Sequence, residues 1–279
     1  MPCGGGSPEA LGAKLVSTFP GNGGLGLPSV SGLYALFDPN TGIPIAVMDG
    51  GYLTLIRTAA VSALATRLLS RPEASTLGVL GAGAQAEFHV RLIATVRPIE
   101  AVVIWARRRE CAEALVASLR QREDLRHVRS WTAALRPEEA AACAIVVTAT
   151  GATEPVLFGR WLCAGAHVNA IGAHTKDTRE VDAQTVARSA VLAVETLGNL
   201  PEAGDLQMAE GESGGVLGRV RTLGALLDSG APVTGRDSEA GTLFKSCGIA
   251  FEDLAVAALA FRRASEDVGA TRFSFAARG

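Results

Sequence analysis

Lysine is nearly missing from this sequence: Lys14, Lys176 and Lys245 stand against 23 arginines. Basic residues total 26 and acidic ones 28, a net charge of −2 with no long run of either sign. A chain so balanced has no cationic surplus for a phosphate backbone, which argues against nucleic acid as a main partner. Cysteine is limited to Cys3, Cys111, Cys143, Cys163 and Cys247, an odd number, widely spaced and without a C-x-x-C pair. Disulfide scaffolds and zinc ribbons are therefore poor readings, and free thiols are expected. The four histidines, His89, His127, His167 and His174, show no ligand spacing, so no metal site is expected. There is no G-x-x-x-x-G-K-[ST] loop. No apolar run reaches about 18 residues without a charge, glycine or proline, so no membrane span is expected. The start, Met1-Pro2-Cys3-Gly4-Gly5-Gly6, lacks the basic and apolar regions of a signal peptide, and a cytoplasmic chain is expected.

What the sequence has is apolar mass. Of its 279 residues 48 % are hydrophobic, and the mean hydropathy is +0.26, enough to bury a substantial core in one large domain or two modest ones. Leu33 to Met48 reads as a hairpin around Asp38-Pro39-Asn40-Thr41-Gly42, with Pro44 marking an edge or a strand start. From Leu53 to Leu69 the spacing becomes helical, with Leu53, Ile56, Ala60, Leu64 and Leu68 on one side. Beyond Pro72, buried runs alternate with helical stretches. The runs are Thr76–Leu80, Ala101–Trp105, Ala144–Val147, His167–Ile171 and Val191–Val194; the stretches include Gln85–Val96 and Arg109–Arg120. Continuous apolar strands alternating with amphipathic helices predict a doubly wound parallel sheet of the α/β class. Ala250–Ala264 reads as a helix, and Arg272–Phe275 is compatible with a last strand.

Gly81-Ala82-Gly83-Ala84-Gln85-Ala86 is G-x-G-x-x-A placed between a strand and a helix. Gly81 permits the tight turn, Gly83 lets backbone approach a pyrophosphate, and Ala86 allows close packing of helix on sheet. About 20 residues after such glycines an acidic side chain normally accepts from the ribose of NAD. Here the second strand ends in Ala106-Arg107-Arg108-Arg109. Guanidinium groups suit a 2′-phosphate, which favours NADP, although the same arginines also suit the solvated start of a helix. Gly211-Glu212-Ser213-Gly214-Gly215 matches a nucleophile elbow formally but has no buried strand before it, and a flexible loop is the expectation.

Several segments together resemble the ornithine cyclodeaminase/mu-crystallin family. They are Gly42–Gly50, Ile56–Ala63, Gly78–Ala86, Asn169–Ala173, Arg179–Asp182, Glu202–Leu206 and Phe244–Leu254, in order along nearly the whole chain. The resemblance implies a central Rossmann domain at 58–248 and a smaller α+β substrate and dimerisation lobe from 1–57 and 249–279. It implies an NAD(P)-dependent enzyme acting on a C=N or C–N bond beside a carboxylate: an imine or ketimine reductase or an amino-acid dehydrogenase. An ammonia lyase of the cyclodeaminase kind with a recycled cofactor and a non-catalytic NADPH-binding dimer are the alternatives. On the same basis Lys14 meets the substrate carboxylate or transfers a proton, Arg57 holds the same carboxylate, and Asp205 stands near the substrate nitrogen. Gly81, Ala82, Gly83, Ala84, Gln85, Arg107 and Arg108 hold the dinucleotide; Thr148, Ala149, Thr150 and Ile171 wall it; Ser246, Cys247 and Gly248 approach the nicotinamide. These types suit the work, since an arginine fork grips a carboxylate and a lysine shuttles a proton. The implied partners are a small carboxylate-bearing amine or imine and a second copy of the chain. Family members carry a further segment ahead of the position matching Met1, with early strands and a second substrate arginine. The hairpin Leu33–Met48 is accordingly expected to lack its strand partners.

Overall fold

The structure, a computed structural model, describes residues 2–4, 9–230 and 239–265. In chain order the strands and helices are β1 (Pro2–Gly4), β2 (Leu11–Thr18), β3 (Val30–Phe37), β4 (Pro44–Asp49), α1 (Gly50–Leu69), β5 (Thr76–Leu80), α2 (Ala84–Ile93), β6 (Ala101–Trp105) and α3 (Arg109–Arg120). Then follow β7 (Ser130–Ala133), α4 (Pro137–Ala141), β8 (Ile145–Thr148), β9 (His167–Ala170), α5 (Ala183–Ala187), β10 (Ser189–Val194) and α6 (Gly204–Ser213). The last are β11 (Val220–Thr222), α7 (Leu223–Asp228), β12 (Gly241–Lys245) and α8 (Ala250–Ser265). The strand expected at Arg272–Phe275 lies outside the described residues. Two compact units result, Met1–Arg57 with Ile249–Gly279, and Thr58–Gly248.

The larger unit is an eight-stranded sheet in the order β11-β10-β12-β9-β8-β5-β6-β7, with every adjacent pair parallel. Its central strands are continuous apolar runs because helices cover both faces: Leu77, Val79, Ile104, Ile145 and Val147 are fully buried in one cluster, and Leu80, Val146, Val168 and Leu243 in another. The chain leaves β5 for β6 on one side, while β8 lies on the other. That reversal is the topological switch point at which open α/β sheets bind ligands, beyond the carboxyl ends of the strands.

The smaller unit is an antiparallel sheet in the order β1-β2-β3-β4. Its inner face carries Tyr34, Leu36, Ala46 and Met48, which pack with Leu254, Ala257 and Ala258 of α8 and with Leu53. The hairpin does not lack a partner: β2 runs along β3 from Leu11↔Phe37 to Thr18↔Val30. Leu11–Thr18 escaped the sequence reading because Gly12 and Lys14 occupy inward positions and interrupt the apolar alternation that marks a half-buried strand.

In α1 Leu53 of the expected stripe is buried, but beyond it the buried positions are Thr58, Ala59, Ser62, Ala63, Ala65, Thr66 and Leu69, while Ile56, Ala60, Leu64 and Leu68 are only half-buried. Small side chains let a helix approach its neighbours closely, and the hydroxyls find partners, as when Asn169 donates to Thr66 Oγ1 at 3.0 Å. By length and composition α1 is the single helix among the described residues that could cross a membrane. The sequence predicts no membrane span, and one such helix is weak evidence for a span, because the core helix of a globular protein meets the same test. Gly211–Ser213 is the end of α6 and not a loop; the helix stops at Gly214, whose φ is +68°.

Candidate functional site

Gly81 opens the loop after β5 with φ +121°, a conformation open to glycine, and a side chain there would run into the carbonyl oxygen of Ala149. The loop is anchored by Gly81 N–H donating to Trp105 O at 2.8 Å, and Ala149 N–H donates to Leu80 O at 2.8 Å. Gly83 is the N-cap of α2, without a side-chain cap, and the space where its Cβ would stand is open. The first-turn N–H groups of a ten-residue helix thus face a bare stretch of backbone with Ala82, Ala84 and Gln85 around it. This is the cradle a pyrophosphate requires. Arg107 and Arg108 follow β6 by two and three residues. Both are exposed, and neither joins an ion pair among the described residues, whereas Arg109 pairs with Glu113 at 2.7 Å. The anchoring of Gly81 on Trp105 places these arginines beside the loop.

The remaining expected cofactor positions lie at the carboxyl ends of β8, β9 and β12. Glu180, fully buried, ties the first two together. Its carboxylate accepts from Thr148 Oγ1 at 2.8 Å, from the N–H and Oγ1 of Thr150 at 2.7 Å each, and from Gly172 N–H at 2.6 Å. Ala149 and Ile171 pack partly buried against the core beside it. Asp205, in the first turn of α6, accepts from the backbone N–H groups of Glu180 and Val181 at 2.7 and 2.9 Å through Oδ1, and its Oδ2 lies 2.8 Å from Lys245 Nζ. Lys245 is fully buried and also donates to Ala173 O. Ser246, Cys247 and Gly248 follow at once. Burial pushes the Cys247 thiol up to about 11, which keeps it protonated near neutral pH.

In the smaller unit Lys14 and Arg57 converge on one carboxylate. Lys14 is buried on the inner face of β2; its Nζ lies 2.9 and 2.8 Å from the two oxygens of Asp253 and donates to Thr54 Oγ1 at 3.2 Å. Arg57, 12 % exposed, pairs with Glu252 at 2.9 Å and places Nε 3.5 Å from Asp253. Burial lowers the Lys14 pKa from its ordinary 10.5, the Arg57 charge lowers it further, and the hydrogen bond that Lys14 donates to Asp253 opposes both. Opposite Lys14 in the register, the Tyr34 hydroxyl is pushed up to about 12, chiefly by burial.

Lys14 and Arg57 thus share one cluster, while Asp205 belongs to another, around Lys245 and Glu180. The sequence reading missed Glu180, Glu195, Glu252 and Asp253 as site residues. Three of them stand inside segments that carried the family resemblance, Glu195 does not, and nothing in local pattern marks a carboxylate as buried. The scarcity of lysine was the usable signal for Lys245. No cluster of metal-ligating side chains occurs among the described residues.

Residues 1–267 match the ornithine cyclodeaminase/mu-crystallin family. The chain is 38 % identical over 262 residues to ketimine reductase mu-crystallin of Mus musculus, a match covering 94 % of this chain and 78 % of that protein. The solved structure of Thermococcus litoralis Delta(1)-pyrroline-2-carboxylate reductase in complex with NADH and L-proline is similar with a TM-score of 0.85 and 34 % identity, over 93 % of this chain and 80 % of that one. An archaeal alanine dehydrogenase dimer with bound NAD is similar with a TM-score of 0.85 and 30 % identity, over 95 % and 80 %.

Proposed function

The chain belongs to the ornithine cyclodeaminase/mu-crystallin family, and on that footing we propose that it is an NAD(P)-dependent oxidoreductase acting on a C=N or C–N bond beside a carboxylate. The preferred cofactor in this reading is NADP. The observation that carries the substrate class is the buried pair of cations, Lys14 and Arg57, on the shared Asp253. A substrate carboxylate would meet the planar fork of Arg57 and the point charge of Lys14 in exchange for part of their pairing with Glu252 and Asp253. When bound, the nicotinamide supplies or accepts the hydride. The protein orients the imine carbon by its neighbouring carboxylate, and Lys14, its pKa lowered by burial, is suited to hand a proton to the nitrogen. Asp205 is the carboxylate this reading assigns to a positive nitrogen, and two backbone N–H groups and Lys245 hold it in place.

The test is NADPH consumption with cyclic imines that do and do not carry a carboxylate beside the C=N bond. Turnover confined to the carboxylate-bearing ring supports the reading. No consumption, or equal rates with both rings, overturns it, and product from a diamino acid without net cofactor turnover indicates the cyclodeaminase reaction instead.

For the cofactor, Arg107 and Arg108 are exposed and unengaged by other charges, so a 2′-phosphate meets them at little cost. Replacing both with alanine is expected to narrow the NADPH-over-NADH preference by about tenfold, the scale of a charge-assisted contact at a partly solvated site. Fluorescence titration reads it, and tighter NADH binding by the starting protein contradicts the assignment.

We also place a second copy of the chain against the outer face of the small sheet. Leu11, Leu15, Leu33 and Val47 are exposed there, Leu15 at 65 %, with Leu15 directly opposite Leu33 and Val47 opposite Ala35. A contiguous apolar patch on a sheet marks an association surface. Leu15→Arg is expected to halve the mass measured by light scattering; a variant that keeps the starting mass removes this face from the interface. The five unpaired cysteines suit a reducing compartment, and we place the enzyme in the cytoplasm.

A further inference from the structure

Glu195 follows directly on β10, is 8 % exposed, and accepts four hydrogen bonds. Ser246 Oγ and Gly248 N–H donate to Oε1 at 2.5 and 3.0 Å; Asn199 Nδ2 and Cys247 N–H donate to Oε2 at 3.1 and 3.3 Å. Three consecutive residues after β12 therefore hang on one carboxylate. Ser246 N–H still donates to Ala170 O at 3.0 Å, but the next two N–H groups turn to Glu195, and Gly248 stands at φ +80°. A buried N–H without a partner costs about 1–3 kcal/mol, so this carboxylate defines the path of the segment. β10 and β12 are adjacent parallel strands, which brings Glu195 to the carboxyl edge of the sheet, the edge on which ligands bind.

We infer that Glu195 is a positioning residue that sets the nicotinamide end of the dinucleotide site through Ser246, Cys247 and Gly248. The inference rests on the proposed function for what those three residues face. Glutamine at 195 has nearly the same size but a single acceptor oxygen. Whichever way its amide turns, two of the four donors meet an NH2 group. The segment then loosens while the adenosine side, held by the glycine loop after β5, is untouched.

Titration of the full chain with NADPH and with 2′-phospho-ADP-ribose, which keeps the phosphates and adenosine but has no nicotinamide, tests this. Glu195→Gln is expected to bind the fragment like the starting protein, to bind NADPH about tenfold more weakly, and to lose kcat with the imine acid. Glu195→Asp should recover part of the loss. Ser246→Ala removes one donor without disturbing the carboxylate, should shift NADPH binding alone by a smaller factor, and decides the matter if Glu195→Gln does not fold. Equal weakening of both ligands indicates general support of the fold and overturns the inference, as does no change in either. Failure of the underlying reading looks different: the starting protein itself would bind neither ligand.

Discussion

Glu180→Leu is expected to cost the 58–248 unit at least about 4 kcal/mol of stability and to lower its urea midpoint steeply. The substitution leaves Thr148 Oγ1, both donors of Thr150 and the Gly172 N–H facing an alkyl side chain in a position with no exposure. An orphaned buried donor costs about 1–3 kcal/mol, so four of them cost at least about 4 kcal/mol even if the hydroxyls turn elsewhere. Domains hold only about 5–15 kcal/mol in total. Thr148→Val sets the scale from the other side: it removes one donor, leaves the carboxylate with three, and should cost about 1 kcal/mol. Because Glu180 N–H is itself held by Asp205, and Asp205 by Lys245, the effect should couple to Lys245→Met by more than additivity allows. Denaturant curves on the two single variants and the double measure this. A Glu180→Leu protein within about 1 kcal/mol of the starting chain would show that the donors relax to other partners and that the network does not hold the strand ends.

The fold was legible because the physics of the larger unit is local. Thr76–Leu80, Ala101–Trp105 and Arg109–Arg120 stand where the apolar runs and the 3.6-residue spacing put them, and G-x-G-x-x-A sits at the switch point its glycines require. What stayed hidden was decided by partners far away in sequence. β12 runs through Lys245, whose burial is explained by Asp205 forty residues earlier. Arg57 reads as an exposed helix charge until Glu252 and Asp253, nearly two hundred residues later, are seen beside it. Asp205 reads as a turn residue until Glu180 and Val181 are found donating to it. Each of these is a buried charge, tolerated only with a partner, and local pattern carries no information about the partner. The family resemblance supplied such residues as positions; the structure supplies the reason they can be buried.

Lys14→Met and Arg57→Lys are expected to depress kcat/KM for a carboxylate-bearing imine by about tenfold to a hundredfold while leaving NADPH affinity nearly unchanged. Loss of one charge-assisted contact in a buried site is worth about 1.5–3 kcal/mol, one to two powers of ten. Lys14→Met also leaves Asp253 one cation short, which raises the local negative charge that the substrate carboxylate must meet. Arg57→Lys is no conservative change, because an ammonium cannot span Glu252 and Asp253 as the planar fork does. The glycine loop belongs to the other unit, so dinucleotide titration serves as the control for folding. Breaking a buried pair commonly costs 3–5 kcal/mol, and thermal unfolding of each variant must be followed alongside. A pH profile separates recognition from damage. Since burial holds the Lys14 pKa below 10.5, raising the pH should discharge it early and bring kcat/KM down on an alkaline limb that starts below the ordinary lysine range. In Lys14→Met that limb should vanish and the residual rate run flat. Any residual rate on the ring without a carboxylate should not respond to Arg57→Lys, whereas Lys14→Met, which also removes the proton donor to the nitrogen, should lower it. An Arg57→Lys protein that loses activity on both rings equally, or a Lys14→Met protein that keeps the alkaline limb, would show that these residues hold the lobe together and do not read the substrate.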